Sequence, residues 1–217
     1  MTSPAPEHPN EWHRLASASS LVDAVARHVE DLVQVSAPDL PQWLTSLGAP
    51  TGWRLARMEG ENLQPSRIAV CVPPSGGGYA CETISVFSFT GIPAVDVIQR
   101  HADCTLRDLD AANITTRRLT TPPVRGVAAV RCSGQLNTGG LSVRAQYSTY
   151  VAGSDIAGGG RLIQHGIFAE SDTRGDLAKD MAKDIEQLSN AVHHAFLATV
   201  ADMAGRRGGL NSQHVQH

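Results

Sequence analysis

Lysine is nearly missing from this chain: Lys179 and Lys183 are the only two, and the other sixteen of the 18 basic residues are arginines. Against 21 acidic residues this leaves a formal net charge of −3, so there is no general electrostatic attraction to a nucleic-acid backbone. Aromatic residues make up only 5%, and no window approaches the roughly 18 consecutive apolar residues of a membrane-crossing helix. Neither a nucleic-acid partner nor a membrane span is expected. The four cysteines, Cys71, Cys81, Cys104 and Cys132, are separated by 9, 22 and 27 residues, which supplies no C-x-x-C pair and no zinc-knuckle spacing. Gly-x-Ser-x-Gly, His-Glu-x-x-His and a glycine loop followed by Lys-Ser/Thr are also missing. These absences speak against hydrolase and nucleotide-dependent chemistry. No catalytic residue, cofactor or metal is expected.

What is present is an ordinary globular composition, 217 residues with 41% hydrophobic side chains, enough to bury a core without staples. The opening Met1-Thr-Ser-Pro-Ala-Pro-Glu-His-Pro-Asn10 has no basic residue before Arg14 and no apolar run. It reads as a disordered lead-in and not as a signal or transit peptide, which places the chain in the cytoplasm. The arginine excess fits fork-shaped donors for carboxylate or phosphate, and it fits a coding bias of the source genome, the simpler account.

From Trp12, the apolar positions Leu15, Leu21, Val22, Val25, Val29, Leu32 and Val33 recur at helical spacing and predict one amphipathic helix, broken near Ser17–Ser20. Pro38 and Pro41 end it, and Asp39 to Leu44 suggest a short second helix, closed by Gly48-Ala49-Pro50. The period then changes. Ile68, Val70 and Val72, then Thr83 to Phe89, predict a hairpin across the turn Pro73 to Gly78. Such a hairpin offers Cys71 and Cys81 as facing thiols, with two buried hydrophobes as the default in a reducing compartment. Pro93 to Asn113 reads as helix, and strands follow at 115–121, 126–134, 141–151 and 161–169. Short glycine turns between consecutive strands make the pairing antiparallel. Leu177, Met181, Ile185, Leu188, Val192, Phe196, Val200 and Met203 predict a long amphipathic helix, with Asp172 or Thr173 as N-cap and Gly205 as stop.

The fold expected is therefore α+β, an antiparallel sheet of about five to seven strands flanked by helices. Residues 1–48 are an N-terminal helical extension, 49–204 the main domain and 205–217 a disordered tail.

His101 and Cys104 stand at i,i+3 and would share one helix side, which suits a thiolate nucleophile, but no orienting third group accompanies them. His193 and His194 point about 100° apart on a helix and so do not share a metal. His165, within a predicted strand, takes a place on a sheet face or lines a groove. Arg117 and Arg118, with Arg125, Arg131 and Arg144, gather on one sheet face if the strands align, as a candidate patch for an anion or a protein partner. Scatter over the surface is the simpler alternative. The candidate binding residues are therefore His101, Cys104, Arg117, Arg118 and His165.

Short motifs carry a family resemblance over about 49–188: Pro50-x-Gly52-Trp53, Pro65 to Val70, the helix from Ile92-Pro93-Ala94 to Leu109, Gly126 to Val130, and Gly160 to Gln164. This stretch resembles the actinobacterial lipoproteins of the LpqN/LpqT type, which have PsbP-like domains. The resemblance implies an antiparallel sheet flanked by helices, used for binding or assembly and not for chemistry. It implies the cell envelope as the alternative location, although the signal peptide and lipidated cysteine of that family have no counterpart here. It assigns no site residue. The function expected is a non-catalytic binding or adaptor protein acting through protein–protein or small-ligand contacts, with a protein partner or a homo-oligomer formed through the Trp12/Leu15/Val22 helix face. The alternative is a small-molecule-binding protein or enzyme with a pocket between sheet and helix.

Overall fold

The computed structural model describes residues 20–56, 65–71, 79–138, 140–171 and 176–211. The expected lead-in, the helix start at Trp12 and Leu15, the turn at 73–78, the N-cap candidates Asp172 and Thr173, and residues 212–217 lie outside the described residues.

The first helix, α1 (Leu21–Ala26), is fixed by a capping box: the Ser20 hydroxyl accepts from the Asp23 N–H, and the Asp23 carboxylate accepts from the Ser20 N–H. The helix expected to run on to Val33 stops at Ala26. Residues Glu30–Gln34 form strand β1 instead, with Asp31 at φ 52° and an irregularity in the ladder between Glu30 and Val33. A 3₁₀ turn (Ala37–Asp39) and α2 (Gln42–Ser46) follow, close to expectation.

The remaining strands are β2 (Trp53–Ala56), β3 (Arg67–Cys71), β4 (Ala80–Thr90), β5 (Ala112–Arg118), β6 (Val127–Thr138), β7 (Leu141–Ala152) and β8 (Gly160–Glu170). All eight strands join one antiparallel sheet in the order β2-β3-β4-β8-β7-β6-β5, with β1 added to β4. Strand β4 is long enough to hold two partners on one edge. Its first half pairs with β3 (Cys71↔Ala80 to Arg67↔Ile84) and its second half with β1 (Gln34↔Phe87 to Glu30↔Thr90). The sheet's centre, β4-β8-β7, then feels three long ladders, and the register decides which face every side chain takes.

Between β4 and β5 the chain crosses the sheet as two short helices, α3 (Val95–Arg100) and α4 (Cys104–Asp108), where one helix was expected. The break falls on His101 to Asp103. These helices and α1 cover one face: Leu21, Val25 and Ile98 pack on Phe89, Val130, Val151 and Leu162, while Leu106 packs on Cys132, Leu136 and Ala145. The apolar side of α1, Leu21, Ala24 and Val25, lies in the core.

The last helix, α5 (Asp176–Asn211), covers the other face and does not stop at Gly205. Val192, Phe196 and Val200 bury against Ile84, Val86, Ala129, Tyr150 and Ile163; Met181 and Leu188 bury against Trp53, Ala69, Ile167 and Ala169. Two polar contacts fasten it to the sheet: Trp53 Nε1–H donates to Asp184 Oδ2 at 2.9 Å, and Gln146 Nε2–H donates to Ser189 Oγ at 2.9 Å. The result is a three-layer α+β arrangement, helices on both faces of a single antiparallel sheet.

Glycine matters at the β7–β8 connection. Gly158 holds φ +62° in the turn, and a Cβ on Gly160 would stand 2.5 Å from the Phe89 ring. These glycines are turn and close-packing residues, as the missing Lys-Ser/Thr implied.

Candidate functional site

Beneath α5 the sheet carries a row of polar residues where an apolar face is the rule. Register places them side by side: Arg67 opposite Ile84 next to Glu82, His165 opposite Ser148, Ser148 opposite Arg131, and Arg131 opposite Arg117. At the β3–β4 end the row is sealed and its charges are paired, with only His165 Nδ1 left without a hydrogen-bond partner among the described residues. Arg67 Nε–H donates to Glu82 Oε2 at 3.1 Å, and its Nη1 and Nη2 donate to the carbonyls of Leu47 and Gly48 at 2.8 and 3.1 Å. His165 Nε2–H donates to Glu82 Oε1 at 3.0 Å. Burial would raise the Glu82 carboxyl, but the hydrogen bonds and charges of His165 and Arg67 outweigh it and hold it below the ordinary carboxylate value. This cluster is a structural clasp, tying the segment after α2 to the sheet.

At the β6–β5 end the row opens. Arg131 is nine-tenths buried; its Nε–H donates to the neutral Ser148 hydroxyl at 2.8 Å, and the Tyr150 hydroxyl lies beside it. Arg117 stands opposite it on β5 and is exposed. The Tyr150 hydroxyl is buried with no well-formed hydrogen bond; burial pushes its phenol up, opposed by the Arg131 charge, by hydrogen-bonding contacts with Arg131 and Ser148, and last by the Arg117 charge. The Tyr150 and His193 rings lie 5.8 Å apart, and His193 Nδ1 is likewise buried and unpartnered. Burial, then the charges of His194 and Arg131, lower the His193 imidazole.

Of these groups Arg117 and Arg131 line a groove of about 510 Å³ between α5 and the sheet, whereas Tyr150 and His193 are not among its lining residues. Its floor carries Arg117, Arg131, Arg144, Gln146 and the carboxylate Glu170, and its helix wall carries Met181, Ile185, Glu186, Ser189 and Asn190. A shallower polar depression lined by Thr115, Ser133 and Gln135 adjoins it, sharing Arg144 and Ser171. Among the described residues no salt bridge joins Arg117, Arg131 or Arg144 to a carboxylate. The lining contains no histidine or cysteine, so no nucleophile is paired with an imidazole base there.

Of the sequence candidates, Arg117 reaches this groove and the others do not. Arg131 and Arg144, named with it as possible neighbours, do share its sheet face. Arg118 projects to the opposite face and donates to Gln99 Oε1 on α3, and Arg125 is exposed in the turn before β6. His165 lies on the covered sheet face but inside the clasp, not on the groove wall. His101 caps the end of α3, and Cys104 begins α4 with its thiol raised by burial, despite offsetting hydrogen bonds from Thr105. A buried, raised thiol is the opposite of an activated nucleophile. Cys71 and Cys81 occupy neighbouring registers (Cys71↔Ala80, Val70↔Cys81), so their side chains take opposite faces, and none of the four cysteines is in a disulfide.

The sequence reading missed Gln146, Ser148 and Tyr150. The signal was the even-numbered positions of β7, Ser142, Arg144, Gln146 and Ser148, which alternation alone assigns to solvent. In the fold that face lies beneath α5.

No protein-family model matches this chain, and no curated protein does. Among solved structures it is similar to LpqN of Mycobacterium tuberculosis, described as involved in cell envelope biogenesis, at 16% identity and a TM-score of 0.50, covering 82% of this chain and 94% of that one. The likeness is one of fold.

Proposed function

We propose that this is a non-catalytic binding protein whose ligand occupies the groove between α5 and the β5–β6–β7 side of the sheet. The observation that carries the proposal is the groove itself: about 510 Å³, within the usual small-ligand range, with Met181 and Ile185 as apolar wall beside Glu186, Ser189 and Asn190, and a floor of three arginines, an amide and Glu170. The chemistry-bearing residue types lie elsewhere, His165 locked in the clasp and Cys104 buried on the other face, which favours holding a ligand over transforming one. LpqN-like architecture supports a cell-envelope setting for that role; recovery of the native protein only in the cytosolic fraction would remove this support.

The test fills the groove from the exposed helix wall. Ala182→Trp and Asn190→Trp should fold with unchanged melting temperature. Both should lose the thermal stabilisation that a panel of small anionic and neutral compounds gives the parent chain. Equal stabilisation of parent and variants would contradict the groove as the ligand seat. Adaptor contacts or self-association form a second reading, favoured by β5, an edge strand with almost every residue exposed. A sedimentation coefficient independent of concentration would exclude the self-association part.

A further inference from the structure

We infer that the inner end of this groove is a seat for a phosphate monoester, held by Arg131 and Arg117 with the Tyr150 hydroxyl; the inference rests on the binding role proposed above. Three independent features converge there. The first is an uncompensated buried charge. Arg131 is only 9% exposed, yet its hydrogen-bond partner among the described residues is a neutral hydroxyl, whereas Arg67, equally buried on the same face, has Glu82 at 3.1 Å. A buried cation is costly without a counter-ion, and an anionic ligand supplies one. The second is like charges in direct register: Arg117 and Arg131 face each other across β5 and β6, a pairing that repels unless something negative lies between or above it. The third is an unused donor. Tyr150 is fully buried with its hydroxyl near Arg131 and Ser148 but without a well-formed hydrogen bond, and a phosphate oxygen seated on Arg131 offers it an acceptor.

The donors come from three neighbouring strands, which suits a group with three terminal oxygens better than a carboxylate with two. A monoester carries about −1.5 to −2 charges at neutral pH, matching two guanidinium groups. The ester oxygen then directs the organic part along Met181 and Ile185 towards Arg144 and Ser171. Both a soluble phosphorylated metabolite and a lipid with a terminal phosphate present this chemistry.

Isothermal titration of the full chain with phenyl phosphate, benzoate and phenol tests the seat. Cosedimentation with phosphatidylcholine vesicles containing phosphatidic acid separates a lipid source from a soluble one. Phenyl phosphate or the phosphatidic acid vesicles should bind saturably, with benzoate weaker and phenol silent. Arg117→Gln, at an exposed position, should weaken binding by about 10-fold or more, and Tyr150→Phe by about 3- to 10-fold. Arg118→Gln, on the opposite face, should leave it unchanged. Binding of phenol as tight as that of phenyl phosphate, lost in Asn190→Trp, would overturn the phosphate seat and leave the groove as a binding site. Benzoate binding tighter than phosphate would overturn the phosphate assignment. Phosphate binding that Arg117→Gln and Tyr150→Phe do not alter would place the anion elsewhere and overturn the inference. No binding by any probe, in solution or on vesicles, would overturn it too, and thermal stabilisation by other compounds that the tryptophan variants abolish would still support the groove.

Discussion

Arg67 and Arg131 are the two buried arginines among the described residues, on one face of one sheet, and their surroundings differ in kind. Arg67 is saturated by Glu82 and two carbonyls; Arg131 has a serine hydroxyl. The first arrangement serves stability. Glu82→Gln should cost about 3–5 kcal/mol, since it leaves Arg67 buried without its counter-charge; urea denaturation measures it, and a loss below about 1 kcal/mol would show the clasp to be dispensable. The pH dependence follows from the lowered Glu82 carboxyl. Its contribution is complete above the unfolded-state value, about 4.3, and is lost as pH falls through the lower folded value. The parent chain should therefore lose stability on acidification more steeply than Glu82→Gln, and parallel acid limbs in the two unfolding curves would refute the assignment. At this scale the sequence showed Arg117, Arg131 and Arg144 as possible neighbours, because residues two apart on a strand share a face. It did not show which arginine has a carboxylate. That depends on Glu82 entering the same face from β4, a matter of long-range register.

Among the elements, the hairpins and the long final helix were legible because local preference and tertiary demand agree. β-branched alternation at 83–89 and 141–149 meets a sheet, and the three-and-four stepping of Met181 to Val200 meets an apolar face. β1 was not legible. Val25, Val29, Leu32 and Val33 fit a helical stripe, and what makes Glu30–Gln34 a strand is the open second half of the β4 edge, a partner more than 50 residues away. The helix at 93–113 was read as continuous because its apolar positions stay in phase across the break. α5 owes its place to Phe196, fully buried with its ring 5.1 Å from Tyr150. Phe196→Ala should cost about 3–5 kcal/mol in urea unfolding and loosen the groove wall. Gly160→Ala, which drives a Cβ into the Phe89 ring, should cost about 1–3 kcal/mol, and a neutral effect would mean that β8 shifts freely at this point.

For the molecule as a whole, a net charge of −3 hides a local excess of positive charge, three arginines against the two carboxylates Glu170 and Glu186 in one groove of an otherwise mildly acidic chain. Composition suggested genome bias for the arginine excess. The fold shows that three of the sixteen share one cavity, whatever set the overall usage. Ligand binding there should weaken as salt rises from about 0.05 to 0.5 M, most steeply for phosphate monoesters, because the exposed Arg117 is screened. The most direct measurement is nuclear magnetic resonance of the arginine Nε–Hε groups during titration with phenyl phosphate. Saturable shifts of Arg131 and Arg117, with Arg67 and Arg118 unmoved, are the result expected. Shifts spread evenly over all arginines, or none at Arg131, would contradict a ligand seat in this groove.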